Sequence, residues 1–149
     1  TTEIYTLSLH DALPISDTPG AVHSLVYLLN DAVTNQDEEA IQSLLSNQDG
    51  NIADPVVAAA FYKLRGDIAL SHGDSAEAVK YYRKAQSNAD GPALQKRYKL
   101  DIAAALIAQD NYDDARETLD EILNNEDIGF NEKNKAEELM GFVSQKLGI

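Results

Sequence analysis

Residues 62–85, YKLRGDIALSHGDSAEAVKYYRKA, contain the features of two helices joined by a tight turn. Gly66 and Ala78 are small residues of the kind that allows two antiparallel helices to approach closely where they cross. Tyr82 lies one turn beyond Ala78, and we expect its ring to fill the groove beside the crossing. Gly73 is expected to end the first helix, because glycine tolerates the left-handed conformation of a helix C-terminus. The stretch therefore predicts a helix–turn–helix unit.

The unit recurs along the chain. Residues 100–122, LDIAAALIAQDNYDDARETLDEI, repeat the pattern, with Ala115 standing 37 residues after Ala78. A fainter copy occupies residues 35–45, NQDEEAIQSLL, where Ala40 precedes Ala78 by 38 residues. Self-similarity at a fixed period is typical of repeat architectures, so we expect stacked helix pairs.

Apolar residues recur at three- and four-residue steps in every long segment. This periodicity predicts helices at about 20–34, 37–46, 54–72, 75–88, 91–109, 112–124 and 131–147. Asp54 and Gly91 are expected to cap helices that have proline in their first turn, and Asn131 is expected to cap the last helix. That helix combines one apolar stripe with a polar opposite face, so we expect it to close the stack.

The residue pattern of these units resembles the tetratricopeptide repeat, a unit of about 34 residues. The resemblance implies an all-α fold, a right-handed α-solenoid of antiparallel helix pairs with a C-terminal capping helix. It also implies a scaffold without enzyme activity that binds proteins or peptide segments.

A narrower resemblance rests on residues 64–74, LRGDIALSHGD, and on 78–85, AVKYYRKA. They are similar to repeats of the ancillary subunit of the bacterial Sec translocon, which has a single membrane span and a periplasmic repeat domain. This resemblance implies a membrane-anchored protein on the periplasmic side of the inner membrane that assists translocation or folding of envelope proteins. The alternative is a soluble cytoplasmic adaptor, or a regulatory repeat domain cut from a larger enzyme.

Residues 1–16, TTEIYTLSLHDALPIS, resemble the translation of a common short-read sequencing adapter in a single reading frame. We expect this segment to be an artefact and the native repeat domain to span residues 17–149, although a genuine short N-terminal segment is the alternative. The native N-terminus and any membrane anchor would then be missing from the chain. An apolar span of about 20 residues upstream of Asp17 would favour the membrane-anchored class over the cytoplasmic one.

The chain carries a net charge of −13, of which Glu3 and Asp11 contribute two, so the remainder carries −11. This charge repels nucleic acid and anionic lipid, so we expect protein partners and membrane association only through the missing anchor. The sequence has no cysteine, which excludes disulfides and thiolate metal sites.

Candidate chemical groups are few. His23 and His72 are far apart and lack a second ligand at metal-binding spacing. The acidic pairs 38–39 and 113–114 are expected at helix N-termini, where carboxylates favour the helix dipole. No glycine-rich phosphate loop or nucleophile elbow is present in the sequence. We therefore expect no catalytic, cofactor or metal site.

In the resembled family, the first helix of each repeat lines a concave groove. The corresponding face here comprises Lys63, Asp67, Leu70, Arg97, Leu100 and Asp101. The alternative is that Lys63–Asp67 and Arg97–Asp101 are ion pairs between residues i and i+4 on solvated faces. Some family members bind a peptide carboxylate with a Lys and Asn constellation. Lys63 fits that constellation, but Asp67 stands at the amide position and would repel a carboxylate, so this activity is not expected.

Overall fold

The structure, a computed structural model, describes residues 19–46 and 52–149. The predicted all-helical architecture is confirmed, since this part of the chain contains seven helices and no strand. The helices are α1 (Pro19–Thr34), α2 (Glu38–Ser46), α3 (Pro55–Ser71), α4 (Ser75–Asn88), α5 (Pro92–Ala108), α6 (Tyr112–Leu123) and α7 (Phe130–Leu147). The segment 1–16 lies outside the described residues, and its assignment as an artefact stays a prediction, as does the handedness of the stack.

The three helix pairs share one turn. Gln36, Gly73 and Asp110 follow the first helix of each pair and have φ angles of 57°, 81° and 58°. In each turn the next residue's N–H donates to the carbonyl five residues back, at 2.9 to 3.0 Å. This is the hydrogen bond of a Schellman motif, which satisfies a carbonyl at the helix end. The three left-handed residues are 37 apart, so the turn gives a repeat of 37 residues.

This turn corrects the register predicted for the first repeat. A shift of 37 residues places Ile41, and not Ala40, in the position of Ala78. Ile41 and Ala78 are both buried, at 3% and 0% exposure. The sequence alignment was wrong by one residue because it followed residue identity, whereas the fold preserves the distance from the turn.

Side-chain caps explain where the second helix of each pair begins. Asp37, Asp74 and Asn111 each accept a hydrogen bond from the backbone N–H three residues later. A side-chain oxygen at this position satisfies a donor that the helix leaves unpaired.

The predicted caps of the other helices are partly confirmed. Asp54 accepts from Val56 and Val57 at 2.9 and 3.2 Å, and Gly91 precedes Pro92 at the start of α5. The predicted cap at Asn131 is wrong, because α7 begins at Phe130 and its cap is Gly129.

The chain divides between Val57 and Ala58 into two units, which are described separately. In the first unit α1 packs against α2. Leu25 and Leu29 of α1 are fully buried, and Leu44 of α2 is only 4% exposed. The pairing of these two amphipathic helices therefore forms the first repeat.

In the second unit, α3 and α4 cross as the sequence predicts. A Cβ atom at Gly66 would overlap the ring of Tyr82, whose side chain is only 2% exposed. Ala78 and Ala103 are fully buried in the core formed with α5, α6 and α7. Small residues at the crossings therefore set the close approach of the helices.

Helix α7 ends in the same way as the first helix of each pair, and its outer side is solvated. Gly148 ends α7 with φ 72°, 38 residues after Asp110. Ala136 and Val143 are fully buried, and Leu139, Met140 and Leu147 pack against the core, as predicted for the apolar stripe. Gly141 occupies the repeat position of Gly66, but a Cβ built there would meet no atom within 4 Å apart from its chain neighbours and the backbone of its own helix.

Gln36→Gly is expected to raise the free energy of unfolding by about 1 kcal/mol, because a non-glycine residue with positive φ is strained by about 1–2 kcal/mol. Chemical denaturation monitored by circular dichroism measures the change. Asn35→Gly is the matched control in the same turn. Because Asn35 has no positive φ, its replacement should lower stability. Equal effects of the two substitutions would contradict the role given to the left-handed residue.

Candidate functional site

The structure places the six predicted site residues on two neighbouring helices. Three lie on α3 and three on α5, and the side chains of Lys63, Asp67 and Asp101 come together between them. Leu70 and Leu100 are partly buried and pack against the core. Arg97 is exposed. The face therefore carries a charged cluster, two partly covered apolar side chains and one exposed guanidinium.

Lys63 is the centre of the charged cluster. Its Nζ lies 2.6 and 2.7 Å from the two carboxylate oxygens of Asp67 and 3.8 Å from Oδ2 of Asp101. The Tyr82 hydroxyl donates to Asp67 Oδ1 at 2.8 Å, and the ammonium lies 5.4 Å from the centre of the Tyr82 ring. The cluster thus joins α3, α4 and α5.

The ion pairs predicted from helical spacing are only half correct. Lys63 and Asp67 form the expected pair, but it also contacts residues of two other helices. The predicted Arg97–Asp101 contact pair does not form, because within the described residues the ionic partner of Asp101 is Lys63. Arg97 acts on Asp101 only as a nearby charge, which opposes the rise that burial causes in the pKa of its carboxyl. Spacing on one helix could not reveal a lysine supplied by the helix beside it.

Asp101 is the least satisfied group of the cluster. Its Oδ2 is buried and has no hydrogen-bond partner among the described residues, since 3.8 Å to Lys63 is too long for a hydrogen bond. Burial raises the pKa of the Asp101 carboxyl, and the positive charges of Lys63 and Arg97 offset this only in part. The ionised form of Asp101 is therefore disfavoured, both by burial and by the negative charge of the nearby Asp67.

Asp101→Asn is expected to raise the thermal midpoint at pH 7. A carboxyl whose pKa is higher in the folded state binds more protons there, so stability falls as the pH rises from the unfolded pKa through the folded one. The gain from asparagine should be larger at pH 7 than at about pH 3.5, below the unfolded pKa of about 3.9. Thermal melts at the two pH values measure it.

Asp67→Asn is the matched control for that experiment. Asp67 accepts from both Lys63 and Tyr82, so its replacement should lower the midpoint at pH 7. A lower midpoint for Asp101→Asn, or a gain independent of pH, would contradict the unfavourable burial assigned to Asp101.

The sequence predicts a packing role for the ring of Tyr82, and the structure adds a role for its hydroxyl, which joins the cluster. Burial and the Asp67 acceptor both raise the pKa of the Tyr82 phenol, so the hydroxyl stays a donor at neutral pH. The sequence held a signal for this role: a tyrosine at a position expected to be buried predicts a hydrogen-bond partner for its hydroxyl. Tyr81 and Tyr98 are also buried side chains.

The other candidate groups lie apart from this cluster. The acidic pairs 38–39 and 113–114 stand in the first turns of α2 and α6, as predicted for favourable helix-dipole positions. Over residues 19–46 and 52–149, no set of three or more His, Cys, Asp or Glu side chains is placed to hold a metal ion. None of the described helices has the length and apolarity needed to cross a bilayer.

The repeat, its shared turn and the packed small residues can be compared with known proteins. Residues 69–127 match the tetratricopeptide repeat family. The matched part is fewer than half of the 149 residues and runs from the end of α3 to the loop before α7. No curated protein and no solved structure matches the chain. The repeat match indicates a protein–protein interaction scaffold, because such repeats are commonly non-catalytic and bind proteins or peptides.

Proposed function

We propose that the chain is a non-enzymatic scaffold that binds a segment of another protein along the α3–α5 face. This face is defined by Lys63, Asp67, Leu70, Arg97, Leu100 and Asp101. The observation that carries the proposal is the incompletely satisfied Asp101 carboxylate beside a partly exposed ion pair. Groups that cost stability are retained most often where they serve binding or catalysis.

The exposed part of the cluster supports a polar contact with the partner. The side chains of Lys63, Asp67 and Asp101 keep 31%, 42% and 30% of their surface exposed. A donor from the partner can bind the Asp67 carboxylate at its exposed side. Lys63 can then move closer to Asp101, because its Nζ already lies between the two carboxylates.

The remaining residues favour an extended or helical polypeptide over a small metabolite. Leu70 and Leu100 offer apolar surface on the two helices, and Arg97 adds an exposed positive charge one turn from Asp101. Mixed charge beside apolar surface suits a peptide segment, and the chain's net charge of −13 favours a basic or neutral partner. Binding should weaken with salt, since the contacts lie near the surface.

Site-specific photo-cross-linking in cells tests the face. Photoreactive residues replace Ser71, which borders the face, and Arg97, which lies on the face but outside the Lys63 cluster. Matched controls replace Asn134 and Gln145, which are exposed on α7. We expect the same partner protein, identified by mass spectrometry, from positions 71 and 97. Capture of that partner only from positions 134 and 145, or no specific capture at all, would contradict the proposal.

We further propose that the scaffold is the periplasmic repeat domain of a membrane-anchored bacterial protein that assists envelope protein translocation or folding. This rests on the similarity of residues 64–74 and 78–85 to the Sec ancillary subunit repeats. Recovering the coding sequence upstream of Asp17 and fusing topology reporters to the completed protein tests it. An apolar span followed by periplasmic reporter activity is expected, and a cytoplasmic reporter signal would contradict it.

The alternative is a soluble cytoplasmic adaptor or a regulatory repeat domain within a larger enzyme. It is favoured if the upstream sequence continues as further repeats or as a catalytic domain. The same α3–α5 face would then bind a cytoplasmic partner or another domain of the same chain, and the cross-linking positions remain unchanged.

A further inference from the structure

The outer faces of α4 and α6 carry opposite charges. Lys80, Arg83 and Lys84 are exposed on α4 and form what we call the basic strip. The acidic strip is formed by the exposed charged residues of α6, which are five acids and one base: Asp113, Asp114, Glu117, Asp120, Glu121 and Arg116. In a chain with a net charge of −13 this basic strip is a local exception. We call the surface formed by these two strips the dipolar face.

The two strips lie side by side across α5. This helix packs against both α4 and α6, and a cleft of about 320 Å³ separates the outer helices. Arg83 lines it on the α4 side, Glu117 lines it on the α6 side, and Ile102 of α5 also lines it. Connections of only three residues join α5 to α4 and to α6, which both pack against it, so both helices run antiparallel to α5 and the strips run in the same direction.

The charges of the dipolar face are only partly neutralised within it. Lys99 pairs with Glu121 at 2.5 Å, and Arg116 lies 3.9 Å from Asp120. Arg83 and Glu117 face the same cleft, yet neither makes an ion pair within the part of the chain that the structure describes. Charge on both strips is therefore available to a partner.

We propose that the dipolar face binds the same face of a second copy of this chain. A two-fold axis parallel to the helices and above the cleft places α4 of each copy over α6 of the other. Basic strip then meets acidic strip twice, as an isologous interface requires. A uniformly acidic partner would be repelled by α6 and a uniformly basic one by α4, whereas a second copy presents both charges at the required separation.

The dimensions predict a weak dimer. The helices have 14 and 12 residues, so the strips are about 20 Å long at 1.5 Å per residue. Such a face is smaller than the roughly 800 Å² that each partner buries in a standard interface. Charge attraction should therefore dominate, and the dimer should form at high protein concentration and low salt.

Analytical ultracentrifugation of the full 149-residue chain tests the proposal with two charge-reversed variants. One carries Lys80→Glu and Arg83→Glu on α4, and the other carries Asp113→Lys, Glu117→Lys and Asp120→Lys on α6, which leaves that strip with two acids and four bases. Each variant alone has strips of like charge, whereas an equimolar mixture restores basic-to-acidic contacts at both positions. Lys133→Glu with Lys135→Glu on α7 is the control, and circular dichroism melts establish that every variant is folded.

We expect the unaltered chain and the α7 control to dimerise at low salt, each charge-reversed variant to be monomeric, and the mixture to form a heterodimer. The dimer association constant should fall at least about tenfold between 0.01 and 1 M salt, where the screening length shrinks from about 30 to 3 Å. An unaltered chain that is monomeric at every concentration would overturn the proposal, as would dimers of either reversed variant or a mixture that stays monomeric.

Discussion

Gly66→Ala is expected to lower the free energy of unfolding by about 1–3 kcal/mol, the usual cost of overpacking a well-packed core. The added methyl group would overlap the ring of Tyr82, which packs from α4 against α3 and whose hydroxyl donates to Asp67. The ring has little freedom to move, because it is 2% exposed and forms part of the core. Urea denaturation monitored by circular dichroism measures the loss.

Gly141→Ala is the matched control, since Gly141 has the same repeat position in α7 and open space where an added Cβ would stand. Alanine in a helix interior is more stable than glycine by about 0.5–1 kcal/mol, so this variant should be more stable than the parent chain. Loss of stability in both variants, or gain in both, would contradict the close crossing assigned to Gly66.

Tyr82→Ala is expected to cost about 3–5 kcal/mol, the range for removing a large buried aromatic side chain. Tyr82→Phe should cost about 1 kcal/mol, because it removes only the hydrogen bond to Asp67, whose carboxylate is partly exposed. The difference between the two variants separates ring packing from the hydroxyl. Equal losses would show that the hydrogen bond, and not the ring, holds α4 to α3.

The two positions should also be coupled. In the Tyr82→Ala background the methyl group of Gly66→Ala no longer meets a ring, so the substitution should become neutral or stabilising. A double-mutant cycle measures this change of sign as an interaction energy between residues in contact. Additive losses would mean that another neighbour, and not Tyr82, limits the space at Gly66.

The helices were predictable because their ends are set by local signals. Gly73 follows α3 and takes the left-handed conformation, and Pro92 begins α5 after Gly91, as the sequence indicates. The start of α7 was placed at Asn131 because asparagine is a favoured cap. The chain caps this helix with Gly129 instead, which makes no side-chain hydrogen bond.

The proximity of three of the candidate residues was predictable, but their connections were not. Helical spacing identified Lys63, Asp67 and Asp101 as one face, and the structure brings them together. It also gave Arg97 as the partner of Asp101, because a helix alone offers only residues three or four positions away. The actual partner Lys63 comes from α3, and the repeat packing that brings it there is a tertiary property.

The charge strips of α4 and α6 also show that sequence alone does not reveal which helices pack side by side. The sequence shows lysine and arginine in residues 80–84 and acids in 113–121, but it does not show that these helices flank one cleft. Only the packing of both helices against α5 turns two separate charge patterns into one surface.

The most direct test of the central claim is a nuclear magnetic resonance titration of the isotope-labelled chain with the segment of the partner captured by cross-linking. We expect the largest amide shifts at residues 63–71 of α3 and 97–104 of α5, and weaker binding by Asp67→Lys. Shifts confined to α4, α6 or α7, with α3 and α5 unchanged, would contradict binding at the α3–α5 face.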